Sequence, residues 1–593
     1  MYKKFFVGVL AFGTLAACSF TLNTTSVQCL SESECLAKGA AFANTTCDPT
    51  TKTCVPVDVN AGLCTTNQDC ISQNANAPAY CRKSDKKCIL LETPECPYFH
   101  GTIAQVADDN VVIIGELNPT NQTAIATQLD AIYAMTQSDF TQAVGGLPPA
   151  LGSTKSRPVV IVGCNELGAG YDGLLRAANH LVNDLQVQLI LGPVNSNDAN
   201  VVLSQVTLPN KVVSIEPITT ISSLSDLPNP VAPTPMVWRV APSDSTQADM
   251  VAKFFDDFLC IPATTGKGCD PTSYLVTSGN MAAGTPMKVM MIESGDLIGL
   301  SQGAALAKSV KFNCSYFSPC GLNDNAAPTP PANWTDPWPE YALGNLGDQT
   351  DPVNNPVPAA SIAKVIAAAL AFKPNVILWP ASVPSLALTA LQPLEQQWGA
   401  ANPGVPPPIH IEISAWGALA ATVAATPFGQ GVNLRKRMFF MGAKNPPAST
   451  LINDFSARFF AAHPEFTGST LSALHYEVND VAYMAFYAMA AVGSAPLTGP
   501  NIAQALANGK LNPPGTPIDA EPSQFGKAFG ILAQGGSIDI NGLFGPEDFN
   551  TKTGASNGLA EIQCVNSTFK VASSGYSWDD ASKASVGSVS NCN

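Results

Sequence analysis

Ile190-Leu191-Gly192-Pro193-Val194-Asn195-Ser196 reads as the end of a buried strand running into a helix. The apolar run 187–191 stops at Gly192-Pro193, and proline cannot donate to a β-ladder. Asn195 and Ser196 are good cap residues for the helix that follows. Backbone N–H groups and the positive helix end then face the crevice beyond the carboxyl ends of the strands. A ligand carboxylate fits there without any cationic side chain. Residues 212–215 supply another short apolar strand of the same kind.

Working outward, short apolar runs alternate with helical stretches. Residues 111–115 and 159–162 read as strands, and 123–142 and 172–185 as helices. A second series opens at 288–292 and continues with a helix through Lys308, a helix at 361–372, a strand at 376–379, a helix at 385–398 and a strand at 409–413. A third stretch begins at 437–441 and carries amphipathic helices at 450–462 and 478–492. This alternation is the pattern of parallel sheets covered by helices, so the fold class is α/β. The chain has 593 residues, more than the ~250–300 at which single cores stop growing. Two sheets, with the chain passing between them more than once, is the economical arrangement.

Three segments carry a family resemblance: 190–196, then Val213-Ser214-Ile215-Glu216-Pro217-Ile218-Thr219-Thr220, then Trp238-Arg239-Val240-Ala241-Pro242-Ser243-Asp244 with Gln247-Ala248. They resemble the first lobe of type I periplasmic binding proteins, the branched-chain amino-acid-binding and receptor-ligand-binding family. Residues 288–299 resemble the strand that opens the second lobe, and Gly535-Gly536-Ser537-Ile538-Asp539-Ile540 with Gly542 its closing strand and turn. The resemblance covers roughly residues 108–562. It implies two lobes joined by three crossovers that close on a small ligand, with lobe 1 at 99–262 and 436–530 and lobe 2 at 285–435 and 531–593. It also implies that Ser196, Ile218 and Thr220 supply a hydroxyl, a backbone group and a second hydroxyl to the ligand.

The second lobe departs from the amino-acid-binding pattern. Ile298 stands where family members often carry a tyrosine, and Ala415-Trp416 where an acid is expected. The first-lobe loop 117–122 is short and lacks the usual aromatic. The ligand class is therefore an amino acid or another small carboxylate, and an apolar or aromatic acid suits Trp379 and Trp416 equally well. An insertion at 322–358 holds eight prolines with Trp334, Trp338 and Tyr341, and reads as a tolerated surface loop, a lid or a partner surface.

The N-terminus sets the compartment. Lys3 and Lys4 precede an apolar run too short to span a bilayer, so residues 1–17 read as a secretory signal. The signal ends Leu15-Ala16-Ala17-Cys18, which resembles the bacterial lipobox and implies a lipid anchor on Cys18. Ser19 follows it, which favours the outer membrane under the common sorting rule. The net charge of −15 offers no basic footprint for nucleic acid.

Cysteines at 29, 35, 47 and 54 and again at 64, 70, 81 and 88 form a tandem repeat offset by 35 residues. Each set holds too few large apolar residues for a core, so two disulfides per repeat are the natural stabiliser of a stalk at 18–98. Four cysteines allow three pairings, and spacing does not choose among them. The eight that remain, Cys96, Cys164, Cys260, Cys269, Cys314, Cys320, Cys564 and Cys592, are even in number. Local pairing would join 260 to 269, 314 to 320 and 564 to 592, leaving 96 with 164.

Enzyme motifs do not hold together. Residues 168–173 match GxGxxG, but the next strand ends in Gly192-Pro193 rather than in an acid for a ribose hydroxyl. Residues 299–303 match GxSxG, yet six residues part the strand from the glycine. His475 has the right order for a triad, and His410 with Glu412 share a strand face without a third ligand. No catalytic residue, cofactor or metal is expected. The sequence points to an exported, lipid-anchored solute-binding protein that delivers its ligand to an ABC permease. The alternative is a surface sensor or interaction protein using the same body.

Overall fold

The computed structural model describes residues 28–38, 45–48, 52–56, 63–118, 123–166, 170–263, 268–312, 340–342, 358–380, 384–413, 432–444, 449–558, 560–568, 570–580, 582–590 and 592. The signal, Cys18, Cys314, Cys320, Ala415, Trp416 and nearly all of the 322–358 insertion lie outside the described residues. The chain divides into two units, Met1–Val59 and Asn60–Asn593.

The first unit holds one short helix, α1 (Glu32–Ala37), and the hairpin β1 (Thr45–Asp48) with β2 (Thr53–Pro56). Disulfides join Cys29 to Cys47 and Cys35 to Cys54. The second unit begins with the same device: α2 (Asn67–Gln73), then β3 (Ala79–Arg82) paired with β4 (Lys87–Leu90). Its disulfides are Cys64 to Cys81 and Cys70 to Cys88. Both repeats therefore join first to third and second to fourth cysteine.

The second repeat is not a stalk, which corrects the sequence expectation for 63–98. Its Ile71, Ile89 and Leu91 belong to one apolar cluster with Val160, Val162, Leu174 and Leu181 of the body. Asn67 donates to the carbonyl of Val106 at 2.9 Å, Arg82 pairs with Asp184 at 3.4 Å, and a disulfide ties Cys96 to Cys164. Too small for a core of its own, the repeat contributes its apolar face to a larger one.

Lobe 1 is a six-stranded sheet of β5 (Tyr98–His100), β6 (Val112–Asn118), β7 (Val159–Asn165), β8 (Leu189–Leu191), β9 (Val213–Glu216) and β10 (Val237–Arg239). The spatial order is β10-β9-β8-β6-β7-β5, parallel except for the edge strand β5. The strands β7 to β10 are almost wholly buried apolar runs, as parallel sheets covered on both faces require. Between them come the one-turn α3 (Ile103–Val106), then α4 (Thr123–Val144), α5 (Gly170–Asn179) and α6 (Ser196–Val202).

Lobe 2 follows with α7 (Asp244–Phe254), α8 (Tyr274–Thr277), β11 (Val289–Glu293), α9 (Leu297–Ser309), β12 (Glu340–Ala342), α10 (Ala359–Phe372), β13 (Val376–Pro380), α11 (Pro384–Ala401), β14 (Ile409–Ile413), α12 (Val432–Arg435) and β15 (Met438–Ala443). Its sheet order is β12-β11-β13-β14-β15, completed by the antiparallel β18 (Ala560–Val565), β19 (Val571–Asp579) and β20 (Ala584–Gly587). Disulfides Cys260–Cys269 and Cys564–Cys592 lie at its margins. The five parallel strands of each lobe share the order 2-1-3-4-5.

Between β15 and β18 the chain returns to lobe 1. There it builds α13 (Thr450–Ala462), α14 (Ala473–Ala491), α15 (Gly499–Ala507), β16 (Thr516–Asp519), α16 (Phe525–Ala533) and β17 (Ile538–Asn541), the two strands pairing in parallel. The chain thus passes between the lobes three times.

The passages fall elsewhere than the sequence boundaries suggest. Met250 and Phe254 of α7 share a core with Val289 and Phe439, so the first passage lies at 240–243 rather than after 262. Strand β15 hydrogen-bonds into the lobe 2 sheet, so the second follows 443 rather than preceding 436. Ile538, Ile540 and Phe549 pack with Leu129 and Tyr483 of lobe 1, so the third lies beyond 549 and not at 530. In each case the buried apolar face decides, and single-sequence reading does not reveal which sheet that face meets.

Phe525 is fully buried, its ring meeting those of Phe140, Tyr483, Phe486 and Tyr487. Replacing it by alanine leaves a cavity at the centre of lobe 1. Urea unfolding of Phe525→Ala is expected to show a loss of about 3–5 kcal/mol.

Candidate ligand-binding cleft

The carboxyl ends of β8 and β9 carry the residues singled out in the sequence. Gly192 takes φ +98°, and a Cβ on it would lie 2.5 Å from the carbonyl oxygen of Leu117, so only glycine allows β8 to turn this close to β6. Asn195 then caps α6, its Oδ1 accepting from the N–H of Asn197 at 2.8 Å. Ser196 is buried, and its Oγ accepts from the N–H of Thr220 at 3.1 Å. Ile218 is half-buried on the same loop as Thr220. The fold thus brings Ser196 and Thr220 into contact beyond the ends of β8 and β9, with Ile218 two residues before Thr220 on the same loop.

The backbone donors next to them already have a partner, which corrects the expected anion site. Glu166, just past the end of β7, accepts from the N–H of Val194 at 3.1 Å and from that of Asn195 at 2.8 Å. Burial pushes the Glu166 carboxyl well above the usual range, and the nearby Asp198 adds to it. The helix end that was expected to meet a ligand carboxylate is answered by this internal one.

Lobe 2 reaches the same place through α9. Asp296 caps that helix, accepting from the N–H of Gly299 at 3.1 Å and from Ser294 Oγ, while its other oxygen accepts from Asn197 Nδ2 of lobe 1 at 3.5 Å. Ile298 is buried within the lobe 1 apolar cluster. Beside them Asp244 forms a bridge: its N–H donates to the carbonyl of Thr220 at 2.8 Å, and its carboxylate accepts from Ser301 Oγ at 2.6 Å. Sequence reasoning missed Glu166, Asn197, Asp244 and Asp296. The signal for Glu166 and Asp296 was an acid just past a strand end.

The enzyme motifs resolve into structural roles. Ser301 of the GxSxG run pairs with Asp244, whereas His475 caps α14 through Ser472 and meets Gln128 Oε1 at 2.7 Å. No triad forms between them. His410 is enclosed: Trp379 Nε1 donates to its Nδ1 at 3.0 Å, and Nε2 meets Glu395 Oε1 at 2.8 Å. Trp379 is therefore a core residue. Glu412, on the same strand face, is fully buried with neither oxygen hydrogen-bonded, and burial holds it well above the usual carboxylate range. A surface groove of about 430 Å³ lined by Asp256, Asp257, Phe258, Ile261, Tyr576 and residues 587–589 belongs to lobe 2 and contains none of the cleft residues.

No family model and no curated protein matches the chain. Solved structures do. The chain is similar to substrate-binding proteins of ABC transporters. A leucine-binding protein, LivK, of Thermotoga maritima shares 14% identity over 80% of this chain and 99% of its own, with a TM-score of 0.48. The branched-chain amino acid substrate-binding protein LivJ of Streptococcus pneumoniae, solved with isoleucine, shares 13% over 78% and 98%, at 0.46. A solute-binding protein of an ABC transporter from Rhodopseudomonas palustris, solved with 3,4-dihydroxybenzoic acid, shares 11% over 81% and 99%, at 0.47.

Buried acids around the cleft set a pH dependence. Burial raises Glu216, at the end of β9, to about 7 despite its hydrogen bond from Thr219, and raises Asp244 to about 6 despite that from Ser301. Each carboxyl holds more protons folded than unfolded, so stability falls as pH rises from ~4 through the folded value. His475, pushed down to about 4 by burial, opposes this only below its ordinary ~6.5. The melting midpoint is expected to rise as pH falls from about 8 to about 6, and Glu216→Gln to flatten the rise. A midpoint that falls over this range in calorimetry would show both carboxyls ionised in the native state.

Proposed function

We propose that the chain is an exported, lipid-anchored solute-binding protein that captures a small molecule between its lobes for ABC-type uptake. The observation that carries this reading is the meeting of α6 and α9 at the strand ends of two sheets of like order, with Asn197 facing Asp296 across the crevice. Ligand sites of open α/β sheets lie at that position. Three passages of chain between the lobes suit a hinge motion that opens and closes it.

Ser196, Ile218 and Thr220 supply two hydroxyls and a backbone group from lobe 1. Asp296 supplies the counter-charge from lobe 2 that an amino acid's ammonium needs, in place of the acid absent at Ala415-Trp416. The ligand is an amino acid or another small carboxylate. The seven disulfides among the described residues support an oxidising compartment. Among the described residues no helix is long and apolar enough to cross a membrane, so in this reading the lipid on Cys18 does the anchoring, at the outer membrane.

A thermal-shift screen of amino acids, small carboxylates and aromatic acids is expected to find a ligand that raises the melting midpoint by mass action. The double variant Ser196→Ala, Thr220→Ala should lose that shift while keeping its own unliganded midpoint within a few degrees. No stabilising compound, or a shift indifferent to both substitutions, rules out this cleft. Separately, Cys18→Ser is expected to move the protein from the membrane fraction to the soluble one. Unchanged partitioning removes the lipid anchor from the reading.

A further inference from the structure

We propose that His100, Glu116 and Asp130 form a site for a divalent transition-metal ion, of the zinc or manganese type, inside lobe 1. The three residues come from β5, β6 and α4 and converge on one face of the sheet. His100 Nε2 stands 2.8 Å from Asp130 Oδ1 and 3.6 Å from Glu116 Oε2, and the three donor atoms lie within 4.8 Å of one another. Imidazole and carboxylate ligands bind zinc at about 2.0–2.2 Å, so small side-chain shifts would bring these three donors onto one ion.

The His100–Asp130 ion pair accounts for only part of this convergence, since Glu116 is drawn to the same point. His100 Nε2, Glu116 Oε2 and Asp130 Oδ1 are all buried, and none makes a well-aligned hydrogen bond, although His100 Nε2 lies at ion-pair distance from Asp130 Oδ1. Buried polar atoms in native proteins are nearly always satisfied, and leaving several together is costly. Two carboxylates and one imidazole are also a set that a divalent cation brings to neutrality. Nitrogen with oxygen, and no thiolate, suits zinc, manganese or iron(II).

The surrounding chain is shaped to allow the set. Strand β7 runs between β5 and β6, and its Gly163 lies opposite both Tyr98 and Glu116. A Cβ at Gly163 would come within 2.9 Å of Tyr98 Cβ and 3.0 Å of Glu116 Oε2. Only the bare glycine lets the Glu116 side chain cross β7 towards His100. The other oxygen of Glu116 accepts from Asn118 Nδ2 at 3.0 Å, an outer partner that fixes the carboxylate's direction. Asp130 keeps 17% of its side chain exposed, which leaves a route for an ion and for a water as further ligand. Positions 100, 116 and 130 share no ligand spacing, so this set is invisible in the chain alone.

The test uses the full chain with its disulfides formed, stripped with a chelator and titrated with zinc alone in a calorimeter. One ion per chain at micromolar zinc is expected, with a rise in melting midpoint that chelator reverses. Cobalt(II) added instead should give a visible absorption band that zinc abolishes. Glu116→Gln is expected to weaken binding by about tenfold or more. Because that residue is buried, Asp130→Asn at the partly exposed edge serves as the second variant, with circular dichroism to confirm its fold. No saturable zinc uptake by the wild type overturns the proposal and leaves a His100–Asp130 ion pair. So does uptake of equal stoichiometry and affinity in a folded Asp130→Asn.

Discussion

Enclosure of α14 is the constraint on which the body depends. Every residue from Glu477 to Ala490 is buried, and a helix that is apolar all round has to be surrounded. Helices α4, α15 and α16 and the strands β8 and β9 pack around it. Its few polar groups are used to fasten other parts: Thr136 Oγ1 of α4 meets Asn479 Oδ1 at 3.2 Å, and Asp480 accepts from the N–H groups of Leu543 and Phe544 at 2.9 and 2.7 Å. The latter pair sits just before the third passage between lobes. Burial raises the Asp480 carboxyl to about 7, and burial together with the nearby Asp480 raises Glu547 well above its ordinary value.

The same economy recurs where the lobes meet. Glu166 answers two backbone donors at the start of α6, Asp296 one at the start of α9, and Asp244 joins Thr220 to Ser301. Carboxyl groups thus organise the backbone on both sides of the crevice, while Asn197 and Asp296 make the direct contact between them. In the proposed reading a ligand would exchange hydrogen bonds with groups already held in place, which would limit the ordering required on binding.

Much of the architecture was legible in the chain because local and global signals agree. The run ending Gly192-Pro193 and the cap at Asn195 are local features, and the structure places them where strand chemistry predicts, whereas Ser196 opens α6 and accepts from Thr220 instead of capping it. What stayed hidden depends on partners remote in sequence. Glu166 is 28 residues from the donor in Val194, and Asn197 is 99 from Asp296. The second cysteine repeat looked self-contained because its few apolar residues were judged alone, although Ile71 and Leu91 complete a cluster begun by Val160 and Leu174. The strand at 538–541 resembled a closing strand of lobe 2, yet it pairs with β16, which carries little sequence signal of its own. Register across β5, β7 and β6 was equally out of reach, and it alone assembles His100, Gly163 and Glu116.

The threefold passage of the chain also dictates an order of events during synthesis. The first 240 residues hold all six strands of the lobe 1 sheet but none of α14, which begins at Ala473. Until that helix emerges, the parts of β8, β9 and α4 that pack on it stay uncovered. Lobe 2, by contrast, has its five parallel strands in hand by Ala443 and lacks only the antiparallel end. The later-encoded lobe is therefore the first able to condense around a nearly complete core, and the lobe that begins first finishes last. Contacts spanning more than 300 residues, such as Thr136 with Asn479, mark this as a slow, high-contact-order assembly.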